Sequence, residues 1–143
     1  MKITMRIETK INEKWVDQEG ILWMRVLEGA HIDLETLLED HRLGQELIKH
    51  QPVYAIYDAS RFFTITPEAR DYLNSGVLNQ NRKATAVVTN NLAVRLLVNF
   101  MNTFKARKSL LKLFPDEKSA LHWIRERMLK EGQNSHIGEP QHG

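Results

Sequence analysis

The sequence predicts an α/β domain: an N-terminal β-hairpin, then alternating β-α units, a mostly parallel sheet with an antiparallel edge, and four helices. Three observations predict it. Val53-Tyr-Ala-Ile-Tyr57 is β-branched, aromatic or small with no charge, as in a strand covered on both faces. A second uncharged run, Ala84-Thr-Ala-Val-Val-Thr89, follows one helical pattern and precedes another, which is the spacing of parallel strands joined by helices. Between them, Thr66 offers an N-cap hydroxyl, Pro67 suits the first helical position, and Glu68 sits against the positive helix end.

Taken in order, Ile3, Met5, Ile7 and Ile11 alternate with polar residues as in a half-buried edge strand, with Trp15-Val16 extending or restarting it. Asp17-Gln-Glu-Gly20 is a turn, and Ile21 to Leu27 is the second strand, so the two form a hairpin or meander. Asp33 caps a first helix whose residues Leu34, Leu37, Leu38, His41, Gln45 and Ile48 recur at helical spacing, and Pro52 prevents its continuation. After the central strand, the second helix runs from Pro67 to about Leu78, with Ala69, Tyr72, Leu73, Gly76 and Val77 facing inward and Gly76 allowing close approach to the sheet.

The third helix, Leu92 to about Phe104, is apolar over more than half its circumference. Leu96, Leu97, Phe100 and Phe104 are assigned to the core, leaving Val94, Val98 and Met101 as a shoulder. Either another helix of the chain covers that shoulder or it is a self-association or ligand surface, since large exposed apolar patches are uncommon on monomers. Leu110 to Phe114 is the last strand. Pro115-Asp-Glu opens a fourth helix with Ala120, Leu121, Ile124 and Met128 inward, and residues 132–143, rich in Gly, Asn, Ser, Pro and His, read as a disordered tail after a single domain over 1–131.

Composition limits function. The 143 residues contain no cysteine, which excludes disulfides, thiolate metal sites and a cysteine nucleophile. The N-terminus lacks the apolar core of a signal peptide, so a cytoplasmic protein without membrane insertion is expected. Residues 1–81 hold 9 Lys/Arg against 13 Asp/Glu, net −4, whereas residues 82–143 hold 11 against 5, net +6. That polarity suits an acidic partner, or one protomer attracting another. Arg95, Lys105, Arg107, Lys108 and Lys112 with Phe104 give a nucleic-acid reading, but Phe104 is needed in the core and the reading is disfavoured. No Gly-rich phosphate loop, nucleophile elbow or paired-carboxylate motif occurs, and the histidines lack metal-ligand spacing. Asp58, Thr89 and Lys112 mimic a phosphoacceptor receiver layout without the acidic pair that would hold its magnesium ion; Asp58 is better read as an Asx-type cap of its own loop.

Tyr57-Asp-Ala-Ser60 followed by Phe62-Phe-Thr-Ile-Thr-Pro67, and the closing Lys112-Leu-Phe-Pro-Asp-Glu-Lys-Ser-Ala-Leu-His-Trp123, resemble the STAS domain, the SpoIIAA-like module of anti-sigma factor antagonists and sulfate transporter tails. The resemblance spans roughly residues 10–130 in organisation. It places Asp58 and Ser60 on the family's first Asp-Leu-Ser, Thr66 on a later aspartate and Pro67 near its phosphorylated serine. Proline cannot accept phosphate, so the resemblance implies the scaffold without the partner-switching phosphorylation. The expectation is a non-enzymatic interaction or regulatory module with no cofactor, binding a protein partner or a second copy as a homodimer. Arg61, Phe62, Phe63 and Thr66 are the partner-facing candidates, Val94, Val98 and Met101 the self-association candidates, and Asp58 and Ser60 the ligand-facing ones. The rival is a carrier or sensor of a small apolar or lipid-like ligand held between sheet and helices.

Overall fold

A computed structural model describes residues 5–79, 81–101 and 110–138, without the side chains of Phe100, Met101 and residues 134–138. Ile3, Phe104 and the basic stretch 105–108 lie outside the described residues, as does 139–143 of the expected tail.

Six strands form one sheet in the order β1 (Met5–Glu8), β2 (Asn12–Val16), β3 (Leu22–Val26), β5 (Val53–Asp58), β7 (Arg82–Val88) and β8 (Leu110–Phe114). The first three pair antiparallel and the rest parallel, as the alternating α/β pattern demands. Of the hairpin and the meander expected here the chain forms the meander, with three strands, because the Thr9 hydroxyl accepts from the Ile11 and Asn12 amides and breaks the strand between Glu8 and Asn12. A two-stranded parallel sheet of β4 (Ala30–Ile32) and β6 (Phe63–Ile65) was not foreseen, since three-residue strands carry no usable periodicity.

Alternation along the strands divides the core into two faces. Trp15, Trp23, Ile56, Ala84 and Ala86 pack with Ala120 and Ile124 of the last helix, α4 (Glu117–Gly138). On the other face Leu22, Met24 and Ala55 meet Ile48 at the end of α1 (Leu34–Leu47), while Val87 and Leu111 meet α3 (Leu92–Met101). Between these, α2 (Pro67–Asn74) places Ala69 against Val26, Ile32 and Leu37.

The helix starts follow from their sequence. Asp33 accepts from the Thr36 amide while the Thr36 hydroxyl accepts from the Asp33 amide, a reciprocal capping box. Thr66 accepts from the Ala69 amide at 3.2 Å with Pro67 behind it.

Two helical expectations need correction. α2 stops at Asn74, and Gly76 has φ +79°, so this glycine supplies the left-handed turn after the helix, and Val77 is exposed. α4 spans Glu117–Gly138. In α3, Val94 and Val98 are buried against Val87, Leu111 and Ala59, whereas Leu96, assigned inward, is 58 % exposed and Leu92 is 66 % exposed. The two apolar faces of this helix look alike in sequence. Packing against Val87 of β7 and Leu111 of β8 decides which one is covered.

Candidate functional site

The loop after β5 gathers most of the predicted site residues but points them in different directions. Asp58 accepts from the Ser60 amide at 3.0 Å and the Ser60 hydroxyl at 2.6 Å, the Asx-type cap read from the sequence. Tyr57 faces the helices α1–α3, so its neighbour Asp58 faces the α4 side of the sheet. There Asp58 joins Arg25 of β3 and Glu117 of α4, and Arg25 grips both Glu117 oxygens at 2.8 and 2.9 Å. Burial works to raise the Asp58 carboxyl, but the hydrogen bonds from the Ser60 hydroxyl and amide and the field of Arg25 outweigh it and hold it below its usual range. No local pattern announces this carboxylate pair, since Asp58 and Glu117 lie far apart along the chain.

Arg61 and Phe62 are exposed, Phe62 to 64 %, while Phe63 turns inward on β6 and packs against both neighbouring clusters. Thr66 is engaged as a cap. A groove between β6, α2 and α3 is lined by Arg61, Ile65, Arg70, Asn91, Leu96 and Leu97 among others. Of the large exposed apolar side chains, Leu96 lines this groove; Leu92 lies one turn earlier on α3, and Phe62 follows Arg61 in the chain. Of the self-association candidates, Val94 and Val98 belong to the core beneath this edge, and the Met101 side chain lies outside the described residues.

Between the sheet and α1–α3 lies a cavity of about 140 Å³. Its walls include Ile65, Val87, Val94, Val98 and Leu111, and its polar part is made by Lys14, Asp40, His41, Arg82 and Thr85. Asp58, Ser60 and Thr66 are not among its lining residues, so the ligand-facing candidates read from the sequence are not the ones the fold turns toward this space. Lys14 is 1 % exposed and pairs with buried Asp40 at 2.7 Å, with its Nζ also donating to the Asp40 carbonyl at 2.9 Å. Asp40 further accepts from Thr9 Oγ1 at 2.6 Å and from Asn12 Nδ2 at 3.0 Å, so this pair is fully engaged. A β-carbon on Gly44 would sit 2.7 Å from Lys14 Nζ, which explains a glycine inside α1. Burial, then the charges of Arg82 and Lys14, lower the His41 imidazole to about 4, and it stays neutral at physiological pH.

Arg82 and Thr85 are different. Among the described residues, Arg82 Nη1 and Thr85 Oγ1 are both removed from solvent without a hydrogen-bond partner. An extra residue in β7, which pairs Val53 with Arg82 but Tyr54 with Ala84, turns Arg82 toward the helices while Lys83 reaches Glu131 of α4. Burial lowers the Arg82 guanidinium to about 10, with Asp40 acting in the opposite sense. These groups escaped the sequence reading, because a charged residue at the start of a strand looks like any solvated end.

His31 contacts Thr64 Oγ1 at 2.7 Å and His122 pairs with Glu126. Among the described residues no group of three or more His, Cys, Asp and Glu is placed to hold a metal, and no helix is long and apolar enough to cross a membrane. Lys112 lies over the Phe114 and Trp123 rings, 5.7 Å from each centroid, and Thr89 accepts from the Asn91 amide. Both members of the receiver-like layout thus have local partners.

Comparison with known proteins places this architecture. The chain is similar to the crystal structure of an uncharacterized protein of the DUF3478 family with a SpoIIAA-like fold from Shewanella loihica PV-4. The TM-score is 0.61 at 16 % identity, over 87 % of this chain and 98 % of that one. The fold is therefore SpoIIAA-like, and at this identity the likeness extends to the fold alone. No curated protein matches the sequence. The family described as a domain of unknown function, DUF7793, matches residues 14–128, from the buried lysine of β2 to the middle of α4, and the chain belongs to that family.

Proposed function

We propose that this chain is a non-catalytic interaction module of regulatory type, a divergent relative of the STAS domain that pairs with a second copy of itself through the α2–α3 edge. The observation that carries the reading is the exposure of Leu92 and Leu96, 66 % and 58 %, one turn apart on α3, with Leu96 lining the groove. Apolar side chains of this size grouped on a surface favour a protein contact. The exposed charges on α2, α3 and the preceding loop carry both signs, Arg61, Arg70 and Arg95 with Glu68 and Asp71. A rim of both signs can complement itself across a two-fold axis, whereas a rim of one sign would repel its copy. The carboxylates at the strand ends are already tied to Arg25 and Ser60, which supports a structural use. Thr66 serves as a cap, and no phosphorylation switch is proposed there.

Sedimentation velocity across the micromolar range tests the reading. The wild-type chain is expected to dimerise, and Leu92→Asp/Leu96→Asp to be monomeric with its melting temperature nearly unchanged, since both side chains are exposed. A wild-type chain that stays monomeric throughout overturns self-pairing.

A further inference from the structure

The sheet-to-helix cavity carries an inference independent of the docking edge. Its polar groups can be summed. Lys14 and Asp40 neutralise each other at 2.7 Å, and His41 is uncharged. The Arg82 side chain is half-buried and makes no salt bridge among the described residues; its Nη1 is shielded from water without a hydrogen-bond partner, and the charge of Asp40 offsets its own only in part. A guanidinium cannot shed its charge at neutral pH, and a donor shielded from water without a partner is costly. Thr85, 4 % exposed, adds an unpartnered hydroxyl that also lines the cavity. Apart from Asn79, and from Asn12 and the Tyr57 hydroxyl, which bond each other, the remaining walls are apolar. Unpartnered donors lining a mostly apolar space are an arrangement that binds a small amphiphile: the polar groups fix its head and the walls take its body.

We infer that this cavity binds a small monocarboxylate with a compact branched or aromatic body, its carboxylate received by Arg82 and the Thr85 hydroxyl and its apolar part packed against Val87, Val98 and Leu111. The planar guanidinium matches a carboxylate better than a point anion, because its donors are parallel. The volume, about 140 Å³, limits the body. A cavity near this size takes a single benzene-sized molecule, so a ligand of about ten heavy atoms or fewer fits and a long acyl chain does not. The strand irregularity that rotates Arg82 inward gives the site a structural cause: with regular alternation Arg82 would share the α4 face with Ala84.

The test uses benzoate, its neutral isostere benzamide, and hexadecanoate, titrated into the full chain while methyl NMR shifts of Val87, Val98 and Leu111 are followed. Benzoate is expected to give saturable shifts at all three positions. Arg82→Met should weaken benzoate about tenfold or more, the loss of a charge-assisted hydrogen-bonded pair. Thr85→Val, nearly isosteric, should weaken it by a smaller factor while keeping the fold, so the site remains testable if the Arg82 variant is poorly behaved. Absence of saturable benzoate shifts overturns the inference. So does binding of benzamide as tightly as benzoate, or of benzoate undiminished in both variants. Tighter binding of hexadecanoate than benzoate overturns the size limit and with it the assignment of this cavity.

Discussion

His41 and Lys14 show how single residues acquire properties from the space around them. The His41 imidazole is neutral down to about pH 4 in the fold, against an ordinary value of 6.5 in the unfolded chain. Between these values the unfolded state binds more protons, so stability falls as pH is lowered from 6.5 to 4 and is fully present above that window. Allowing for partial exposure and screening, the loss is about 1–2 kcal/mol. His41→Gln should flatten the stability profile over this window in urea unfolding, and an unchanged slope would contradict the cause given. The sequence placed His41 beside the core correctly, from its position in the helical pattern. It gave no warning of Lys14, because a lysine at an alternating strand position normally reaches solvent; only the approach of α1 across β2 encloses it with Asp40.

At the scale of elements, helix starts were legible and helix faces were not. Caps are local: Asp33 with Thr36, and Thr66 with Pro67, act through atoms within three residues. Faces depend on what lies opposite. The apolar surplus of α3 was visible in sequence, yet the side that stays outside, Leu92 and Leu96, was settled by β7 and β8. Two glycines make the same distinction measurable. Gly132 lies inside α4 with open space where a β-carbon would go, so Gly132→Ala should raise stability by about 0.5–1 kcal/mol. Gly44→Ala would press on the buried Lys14 ammonium and should lower stability by about 1–3 kcal/mol. Chemical denaturation of both variants checks the contrast, and stabilisation of both would mean that Lys14 moves aside freely.

Across the molecule, charge and core tie distant segments together. The acidic first part and basic second part meet in Glu19–Arg125, while Arg25–Glu117 joins the same two parts with the signs reversed, so only a small share of the polarity read from the sequence is matched internally. The stacked rings of Trp15 and Trp23, 5.8 Å apart, share one cluster with Ala84, Ala120 and Ile124, joining the antiparallel edge to α4. Residues 5–131 should therefore unfold as one unit. Tryptophan fluorescence and helical circular dichroism are expected to give the same denaturation midpoint; separated midpoints would show that the meander or α4 melts alone.

The order of the four helices, the parallel sheet with its antiparallel edge, and the helix starts were determined by the sequence alone, because periodicity, caps and turn residues act over a few neighbours; the short strands β4 and β6 were not. The enclosed Lys14–Asp40 pair, the unpartnered Arg82 and Thr85 in the cavity, the Arg25–Asp58–Glu117 group and the outward face of α3 were decided by tertiary structure. Each requires residues from separate elements to meet, and no local pattern records which side of a neighbouring element a side chain will find.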